Sequence, residues 1–471
     1  MIQTVNNNDQ HLVDKVYEYK QEQVFRFWNE LNENEKNELL KQIDSIDFKL
    51  MSELSQKAIS NKADSIIENQ LDTADIISLV ERKNGESEAH EIGENLLRQG
   101  KMAAFLVAGG QGTRLGFEGP KGMYPVTPVK KKSLFQLHAE KLIATGNIFG
   151  NPIPWFIMTS ETNHKQTILY FKQNNFFGYE EENITFFKQE MIPAIDKKGK
   201  FILDKKNNIF TNPNGHGGSI SALWNSGAIE KMQSKSVEYI LYFQVDNVLA
   251  NICDPVYLGY HVNHQSEMST KVVRKAFPEE KMGVICKING KTGLMEYSDL
   301  SKEDMYATNP DGSLKYWGGS IAIHIFNLDF IVKENVGGFQ LPYHVANKSI
   351  PYLDASGKLI KPEEPNGTKF ESFVFDALLD TQKSISLEVE RKLEFSPLKN
   401  KEGLDSPLTV KKDLCNLYGG WLENAGVQIP RDEHGNVTID IEISPLLTLD
   451  GRDLKNRFLD TNKVESGFYL K

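Results

Sequence analysis

Residues 102–121 read MAAFLVAGGQGTRLGFEGPK, an apolar run of strand length followed at once by a glycine-rich loop. Downstream, further apolar runs of strand length alternate with amphipathic helical segments. Strands are predicted at residues 102–107, 155–158, 184–187 and 239–245, and helices at residues 163–172 and 219–232. This alternation is typical of an α/β layer, so we predict a doubly wound, mixed but mostly parallel sheet.

The segment after the glycine loop carries a helix start signal. Ser133, with Gln136 three residues later, predicts a capping box for a helix that continues to Thr145 and stops at Gly146. Strand, loop and helix therefore follow in order. In doubly wound sheets ligands bind beyond the carboxyl ends of the strands, so the residues just after each strand are the candidates for function.

The chain on either side of this core differs in pattern. Residues 1–98 are predicted to form a helical region, with Val24, Phe25, Phe27, Trp28 and Leu31 at helical spacing as a packing stripe and Asn32 with Glu35 as an N-cap pair. Residues 99–400 form the predicted catalytic domain, which includes a hairpin of residues 284–288 and 294–297 turned by Asn289, Gly290 and Gly293. A linker at residues 397–407 leads into a small α+β domain, residues 401–471, with a helix at 414–425 and a strand at 437–441.

Composition excludes several classes of protein. The chain has 471 residues, 39% hydrophobic and 25% charged, as expected of ordinary globular domains. A net charge of −10 argues against a non-specific nucleic-acid binder, and the basic runs at residues 130–132 and 197–206 are interpreted as solvated loops. Cys253, Cys286 and Cys415 lack metal-site spacing and are expected to be reduced thiols, while no apolar stretch suits a signal or a membrane span. We expect a cytoplasmic protein.

The glycine loop has the composition of a phosphate-binding loop. Gly109, Gly110 and Gly112 lack a Cβ, so the backbone can adopt positive φ there and its N–H groups can come close to phosphates or a base edge. Arg114 and Lys121 add fixed positive charge. A P-loop would need Lys and Ser or Thr after its last glycine, and a dinucleotide fingerprint would need a glycine at Leu115, so both are excluded.

This loop resembles the signature of the sugar-1-phosphate nucleotidyltransferases, and its short spacer before residues 120–124 (PKGMY) is similar to the UDP-N-acetylglucosamine pyrophosphorylase family. Seven further blocks resemble motifs of that family in the same order. They are FFKQ at 186–189, PNGHGG at 213–218, YFQVDN at 242–247, MGV at 282–284, EYS at 296–298, PNGTK at 365–369 and FSPLKN at 395–400. The resemblance covers nearly the whole chain and implies a Rossmann-like nucleotidyltransferase core.

The resemblance implies that UTP and a hexose 1-phosphate, most favourably N-acetylglucosamine 1-phosphate, give a UDP-sugar and pyrophosphate. It assigns UTP binding to Val107, Ala108, Gly109, Gly110, Lys121, Gln189, Gly215, Asp246 and Lys369. It assigns the sugar to His216, Gly283, Glu296, Tyr297, Ser320 and Lys399. Catalysis would rest on cations and positioning, with Arg114, Lys121, Lys369 and Lys399 as the catalytic set.

Two of these residues also have a chemical interpretation of their own. The amide of Gln189 can both donate and accept, which suits the edge of uracil. Asp246 follows the predicted strand 239–245 at its carboxyl end, where a hard oxygen ligand suits Mg²⁺, and the resemblance makes Asp246 the metal carboxylate.

The sequence departs from the family at two positions assigned to the sugar. His216 stands where the N-acetylglucosamine enzymes often have Asn, and residues 317–320 (WGGS) replace an asparagine-containing run. The histidine form is closer to UDP-glucose and broad UDP-sugar pyrophosphorylases, which are the alternative within the enzyme class. A nucleotide-sugar-binding regulator without turnover is the alternative of another class. A monomer or a homodimer is expected.

Overall fold

The computed structural model describes residue 2 and residues 7–60, 70–456 and 464–471. The chain folds into two compact units, each assembled from separate stretches. The first unit comprises Met1–Asn69, Glu190–Ser219 and Leu341–Val374, and the second comprises Gln70–Gln189, Ile220–Gln340 and Phe375–Lys471. The domain boundaries expected near residues 98 and 400 stay a prediction.

The second unit is built on a large mixed sheet. Its main path runs, in spatial order, through Ile76–Ile77, Ser384–Glu388, Met268–Arg274, Gly318–Asn327, Tyr239–Gln244, Met102–Val107, Trp155–Thr159 and Ile184–Lys188. Along this path Gly318–Asn327 runs antiparallel to both neighbours, while the other pairs are parallel. Leu71–Thr73, Val284–Ile288 and Lys291–Met295 extend the sheet beside Gly318–Asn327. The predicted mixed, mostly parallel sheet is confirmed.

The second unit also contains helices. They are Leu79–Arg98, Leu134–Phe149, His164–Gln173, Ala228–Ser234, Pro255–Asn263, Lys302–Tyr306, Leu328–Lys333, Arg391–Glu394 and Pro407–Asn424, and the helix Gly218–Asn225 begins at the end of a stretch of the first unit. Two glycines allow the helices Leu79–Arg98 and Pro255–Asn263 to pack closely. A Cβ on Gly93 would lie 1.9 Å from the Pro255 carbonyl oxygen, and a Cβ on Gly259 would lie 1.8 Å from the Ala89 carbonyl oxygen. Among the described residues, no helix combines the length and apolarity that a membrane crossing requires.

The first unit packs short helices against small sheets. Its helices are Asn7–Glu18, Glu33–Asp44 and Phe48–Ile59, and two 3-10 turns, Glu22–Phe25 and Trp28–Glu30, lie between the first two of them. Its strand groups are Met191–Pro193 with Thr211–Pro213, His344–Lys348 with Gly367–Glu371 and Ile195–Asp196, Leu203–Lys205 with Asn208–Ile209, and Tyr352–Leu353 with Leu359–Ile360. The predicted packing stripe is buried, and the Asn32–Glu35 capping box is present. The stripe forms two 3-10 turns instead of a longer helix.

Three helix predictions need correction. The helix that begins after Ser133 runs on past Gly146 to Phe149 and ends at Gly150, whose φ is 76°. Of the predicted capping box, the Ser133 side chain accepts from the Gln136 N–H, while the Gln136 amide donates to Glu140 instead. The single helix expected at residues 219–232 is two helices, Gly218–Asn225 and Ala228–Ser234, because Gly227 adopts a left-handed conformation with φ 75°.

The hairpin and C-terminal predictions also shift in register. Asn289 and Gly290 form the hairpin turn with positive φ, but Gly293 lies within the strand Lys291–Met295, which starts earlier than predicted. The C-terminal helix begins at Pro407, so part of the expected linker is helical. The expected strand at residues 437–441 is instead Ile441–Ile443, since its partner Phe468–Leu470 sets the pairing.

Candidate active site

Four parallel neighbours in the second unit end at one edge of the sheet. The register pairs Gln244 with Val107, Val107 with Met158, and Thr159 with Lys188. The segments that follow these strands therefore lie side by side. They carry the glycine loop, Gln189 and Asp246.

The glycine loop closes on itself just after its strand. Gly112 N–H donates to the Gly119 carbonyl at 2.9 Å, and Lys121 N–H donates to the Gly110 carbonyl at 3.0 Å. The positive φ values in this loop belong to Gly116 (70°) and Gly119 (123°), so the freedom noted for Gly109, Gly110 and Gly112 is not used. Gly112 is needed for space instead: a Cβ there would lie 2.8 Å from a ring carbon of Phe117.

Gln189 lies over the start of this loop. Its Oε1 is 3.4 Å from the position that a Cβ on Gly109 would occupy, and its own N–H donates to the Thr159 carbonyl at 2.7 Å. A side chain at Gly109 would therefore crowd the Gln189 amide. The structure brings together the loop and the glutamine that the sequence assigned to one nucleotide.

Asn163 is a residue of this site that the sequence analysis did not single out. Its Nδ2 donates to the Ala108 carbonyl at 2.9 Å, and its Oδ1 accepts from the Ser160 N–H at 2.9 Å. Asn163 is fully buried at the start of the helix His164–Gln173. The available signal was an asparagine at the first residue of a predicted helix, in the segment that follows a predicted strand.

Lys121 and Asp246 form an ion pair at the same edge. Lys121 Nζ lies 3.0 Å from Asp246 Oδ2, with 17% and 11% of the two side chains exposed. The predicted phosphate-binding cation and the predicted metal ligand are thus adjacent. Arg114, on the 3-10 turn Thr113–Leu115, is exposed, and no described residue pairs with its guanidinium.

The segment that carries Asp246 is held from behind by the helix Leu134–Phe149. His138 Nε2 donates to the Val245 carbonyl at 3.0 Å, and Lys141 Nζ donates to the carbonyls of Val248 and Ala250 at 2.7 and 2.8 Å. Burial lowers the pKa of His138 to about 3, so its imidazole is neutral near pH 7. Two side chains of one helix therefore fix the backbone on both sides of Asp246.

Lys399 follows a segment that pairs with the Asp246 segment. Leu398 N–H donates to the Asp246 carbonyl at 2.9 Å, and Asn247 bridges Pro397 in an antiparallel pairing. The Lys399 ammonium lies 3.9 Å from Asp405 Oδ2 and over the Phe395 ring, and its side chain is 41% exposed. The predicted metal carboxylate and this predicted cation are therefore carried on paired backbone.

The sugar residues of the second unit form a second group at this edge. Ser320 N–H donates to the Gly283 carbonyl at 2.9 Å, and Val284 lies opposite Met295, the residue before Glu296. Gly283 has no room for a side chain, since a Cβ would lie 2.4 Å from Leu294 Cδ2. Tyr297 is 38% exposed. Gly283, Glu296 and Ser320 are thus brought together by strand pairing.

In the first unit, Gly215 and His216 belong to one tight loop. Gly215 has φ 82°, and a Cβ there would lie 2.2 Å from the Ser372 carbonyl oxygen. His216 stacks on Phe373 with ring centroids 5.2 Å apart, and its Nδ1 accepts from the Val374 N–H at 3.0 Å. Burial, with a smaller contribution from His344, lowers the pKa of His216 to about 4. The imidazole is therefore neutral, with its proton on Nε2.

Lys369 lies in the strand Gly367–Glu371 of the same unit, opposite Ala346. Its ammonium is 5.1 Å from the centroid of the Phe210 ring. A cation over an aromatic face is attracted by the ring quadrupole. This contact restrains the position of the Lys369 side chain.

The carboxylate of Asp246 supplies oxygen ligands of the kind that Mg²⁺ binds. Mg²⁺ in nucleotide sites binds one or two carboxylates and shares the phosphates of the substrate. Within the described part of the chain, no group of three or more His, Cys, Asp or Glu side chains could cage a metal. A single carboxylate beside the glycine loop fits an ion that would be shared with the phosphates of a nucleotide.

The structure corrects the interpretation of the basic run at residues 130–132 as a solvated loop. Lys132, expected in a solvated loop, is 7% exposed and lies 2.6 Å from Glu140 and 3.7 Å from Glu442. Glu442 Oε2 also accepts from the N–H groups of Val129 and Lys130. This cluster was not predicted, because Glu442 comes from a distant part of the sequence and Glu140 faces Lys132 only once the helix Leu134–Phe149 has formed. The three cysteines are free, as predicted, and the structure buries all three.

Known proteins resemble this chain over most of its length. Residues 48–439 match the family described as UTP--glucose-1-phosphate uridylyltransferase. The chain is 37% identical to a probable UDP-N-acetylglucosamine pyrophosphorylase of Dictyostelium discoideum, over 93% of each chain, and 37% identical to the UDP-N-acetylglucosamine pyrophosphorylase of Saccharomyces cerevisiae, over 92% of this chain and 94% of that one.

A solved structure supports the same relationship. The crystal structure of a putative UDP-N-acetylglucosamine pyrophosphorylase from Entamoeba histolytica superposes with a TM-score of 0.76 at 35% identity, over 85% of this chain and 100% of that chain. The resemblance inferred from the motif blocks is confirmed. The chain belongs to the UTP--glucose-1-phosphate uridylyltransferase family and, within it, to the UDP-N-acetylglucosamine pyrophosphorylases.

Proposed function

We propose that this enzyme transfers the uridylyl group of UTP to N-acetylglucosamine 1-phosphate and releases pyrophosphate. One observation carries the proposal: the Lys121–Asp246 pair, 3.0 Å apart, lies at the sheet edge where Gln189 covers the glycine loop. A base-reading amide, a phosphate-binding loop, a cation and a metal-binding carboxylate are what a nucleoside triphosphate requires.

The reaction is an in-line displacement at phosphorus. An ionised phosphate oxygen of the hexose 1-phosphate forms a bond to the α-phosphorus of UTP. The bond from that phosphorus to the oxygen that bridges to the β-phosphate breaks, and pyrophosphate leaves with the electron pair. No protein nucleophile or strong base is required, because the attacking oxygen is already ionised.

The residues of the second unit would supply positioning and charge. Gln189 would read the uracil edge, and the backbone of residues 107–110 would line the nucleotide. Lys121 would bind phosphate oxygens, with Arg114 and Lys399 as further cations. Asp246 would hold Mg²⁺, which, when bound, offsets phosphate charge and aligns the reacting groups. Fixed cations lower the barrier most where negative charge develops in the transition state.

Further roles are proposed for the sugar and for the first unit. Glu296 and Tyr297 would bond to sugar hydroxyls beside Gly283 and Ser320. Gly215 and Lys369 would contact UTP, and His216 would meet the sugar as a neutral imidazole. This protonation state follows from the Val374 N–H bonded to Nδ1, together with burial that lowers the pKa of His216.

Glucose 1-phosphate is the second candidate substrate. His216 and Ser320 favour it, because both replace residues that commonly accompany an N-acetyl group in this family. The identity of the relatives favours N-acetylglucosamine 1-phosphate instead. A cytoplasmic location and a monomeric or homodimeric assembly also stay proposals.

The test is a substrate panel. The protein is incubated with UTP, Mg²⁺ and, in parallel, the 1-phosphates of N-acetylglucosamine, N-acetylgalactosamine, glucose and galactose, while pyrophosphate release is followed. We expect the highest kcat/KM with N-acetylglucosamine 1-phosphate. Turnover of glucose 1-phosphate alone would refute the acetamido substrate. Silence with all four, despite measurable UTP binding, would favour a regulator without turnover.

A further inference from the structure

Asn247, the residue after the proposed metal ligand, has no role in the chemistry described above. Its side chain is 3% exposed, so it does not face solvent. A buried amide without partners would cost free energy, and Asn247 satisfies both ends of its amide. Its contacts therefore show what it does.

The amide of Asn247 joins two segments of chain. Its Nδ2 donates to the Glu394 carbonyl at 2.8 Å, and its Oδ1 accepts from the Ser396 N–H at 3.0 Å and from the Leu249 N–H at 3.3 Å. Both Glu394 and Ser396 lie in the segment that leads to Lys399. Two backbone bonds also link the segments, from Leu398 N–H to the Asp246 carbonyl and from Val248 N–H to the Ser396 carbonyl.

The partner of Asn247 is itself fixed. The Glu394 carboxylate lies 2.6 Å from the ammonium of Lys271, which also lies 2.9 Å from Asp254. Lys271 is fully buried, and although burial opposes its charge, the two carboxylates outweigh this effect and raise its pKa. The Glu394 backbone is thereby anchored in the sheet, so the Asn247 amide bonds to a fixed point.

We propose that Asn247 is a positioning residue that sets the placement of Lys399 relative to Asp246. Its side chain fastens the segment that carries Lys399 to the segment that carries Asp246. Loss of the Nδ2 donor leaves the Glu394 carbonyl facing an acceptor and loosens the segment ahead of Lys399. Outer groups that hold a metal or phosphate site in place typically contribute about 10- to 100-fold in activity when they are changed.

This inference rests on the proposed uridylyl transfer, and its test is a double-mutant cycle on the full chain. Asn247→Asp keeps the shape and the acceptor but removes the donor, and it is made in the wild-type and Lys399→Ala backgrounds. Asn335→Asp is the matched control. Asn335 is also buried, its Nδ2 donates to the Ile331 carbonyl at 2.8 Å, and it lies outside the site. Circular dichroism and thermal unfolding check that each variant is folded.

We expect Asn247→Asp to lower kcat by about 10- to 100-fold, with the KM for UTP changed by less than about threefold. In the Lys399→Ala background, the further loss should shrink to less than about threefold, since coupled residues are not additive. Equal losses in both backgrounds, or an Asn247→Asp enzyme as active as Asn335→Asp, would overturn the inference.

Asn247→Ser is the second variant, used if the aspartate prevents folding. It adds no charge beside Asp246, so its smaller loss of kcat must also shrink in the Lys399→Ala background. If the wild-type enzyme turns over and the cycle is additive, the positioning role alone fails. If the wild-type enzyme shows no turnover with any hexose 1-phosphate, the proposed function fails and the positioning role with it.

Discussion

The segment around Asp246 and the tip of the glycine loop around Arg114 both lie at the carboxyl edge of the sheet, but they are built differently. The Asp246 carboxylate is paired with Lys121, and its backbone is bonded from the helix Leu134–Phe149 and from the segment before Lys399. Arg114 projects from an exposed turn, with no partner for its guanidinium among the described residues. The residue type determines the chemistry that each side chain can perform. The contacts around it determine how much activity we expect to be lost when it is replaced.

The largest effect is expected at Asp246. Asp246→Asn keeps the shape but removes the charge proposed to bind Mg²⁺, and we expect kcat to fall by about 10³-fold because transition-state charge would no longer be offset. Pyrophosphate release over a Mg²⁺ titration measures this, with circular dichroism as the check on folding. Near-normal activity would refute the metal role.

Lys121 should come next. Lys121→Met removes one preorganised cation, and we expect kcat/KM for UTP to fall by about 10²-fold, roughly 2.7 kcal/mol. Lys165→Met, on the exposed face of a nearby helix, is the matched control. An unchanged kcat/KM in Lys121→Met would limit the role of this lysine to the structure of the loop.

Acid should weaken the scaffold behind Asp246. Burial depresses the pKa of His138 from its ordinary value of 6.5 to about 3, so the folded state resists the proton that the unfolded state accepts. The stability from this group is complete above pH 6.5 and is lost as the pH falls towards 3, by about 2 kcal/mol at pH 5.

Urea unfolding at pH 7 and pH 5 measures this loss. His138→Gln keeps a donor for the Val245 carbonyl without a titrating group, so its loss of stability between the two pH values should be smaller. An equal loss in both proteins would contradict the assignment. His216 and His261, whose pKa values burial lowers to about 4, contribute in the same direction in both.

The smallest effect is expected at Arg114. Arg114→Ala should lower kcat/KM for UTP by about fivefold or less, because an exposed charge contributes about 1 kcal/mol or less. Steady-state kinetics at low and high salt measure it, and the loss should be smaller at high salt. A loss as large as that of Lys121→Met would mean that UTP draws the loop tip into a desolvated contact.

Elements with a strong local pattern were predicted well from the sequence, and elements set by distant contacts were not. Strands with long apolar runs, such as Met102–Val107 and Tyr239–Gln244, were predicted within a residue, because burial on both faces leaves a strong pattern. The strand Ile441–Ile443 was misplaced because its limits depend on pairing with Phe468–Leu470, which no local pattern reveals. Gly146 was taken as a helix end, although glycine is tolerated where a close neighbour occupies the side-chain space; a Cβ there would lie 3.1 Å from the Asn151 carbonyl oxygen.

In the candidate site, the sequence identified the residues expected to meet substrate but not the residues that support them. The residues expected to meet substrate carry distinctive motifs, and Gln189, Lys121 and Asp246 were identified from them. Asn163 and Asn247 bond to backbone carbonyls and N–H groups of this site, and the sequence does not reveal which backbone groups those partners are. The buried partner of Lys132 was missed for the same reason, since Glu442 comes from the far end of the chain.

The central claim is that the fixed charges at this sheet edge support group transfer, and the fate of the α-phosphate of UTP tests it most directly. UTP labelled at the α-phosphorus is incubated with N-acetylglucosamine 1-phosphate, Mg²⁺ and the intact protein, and the products are separated. We predict that the label appears in UDP-N-acetylglucosamine, with one pyrophosphate released for each sugar nucleotide formed. Label that stays in UTP, or appears only in UMP, would contradict the claim.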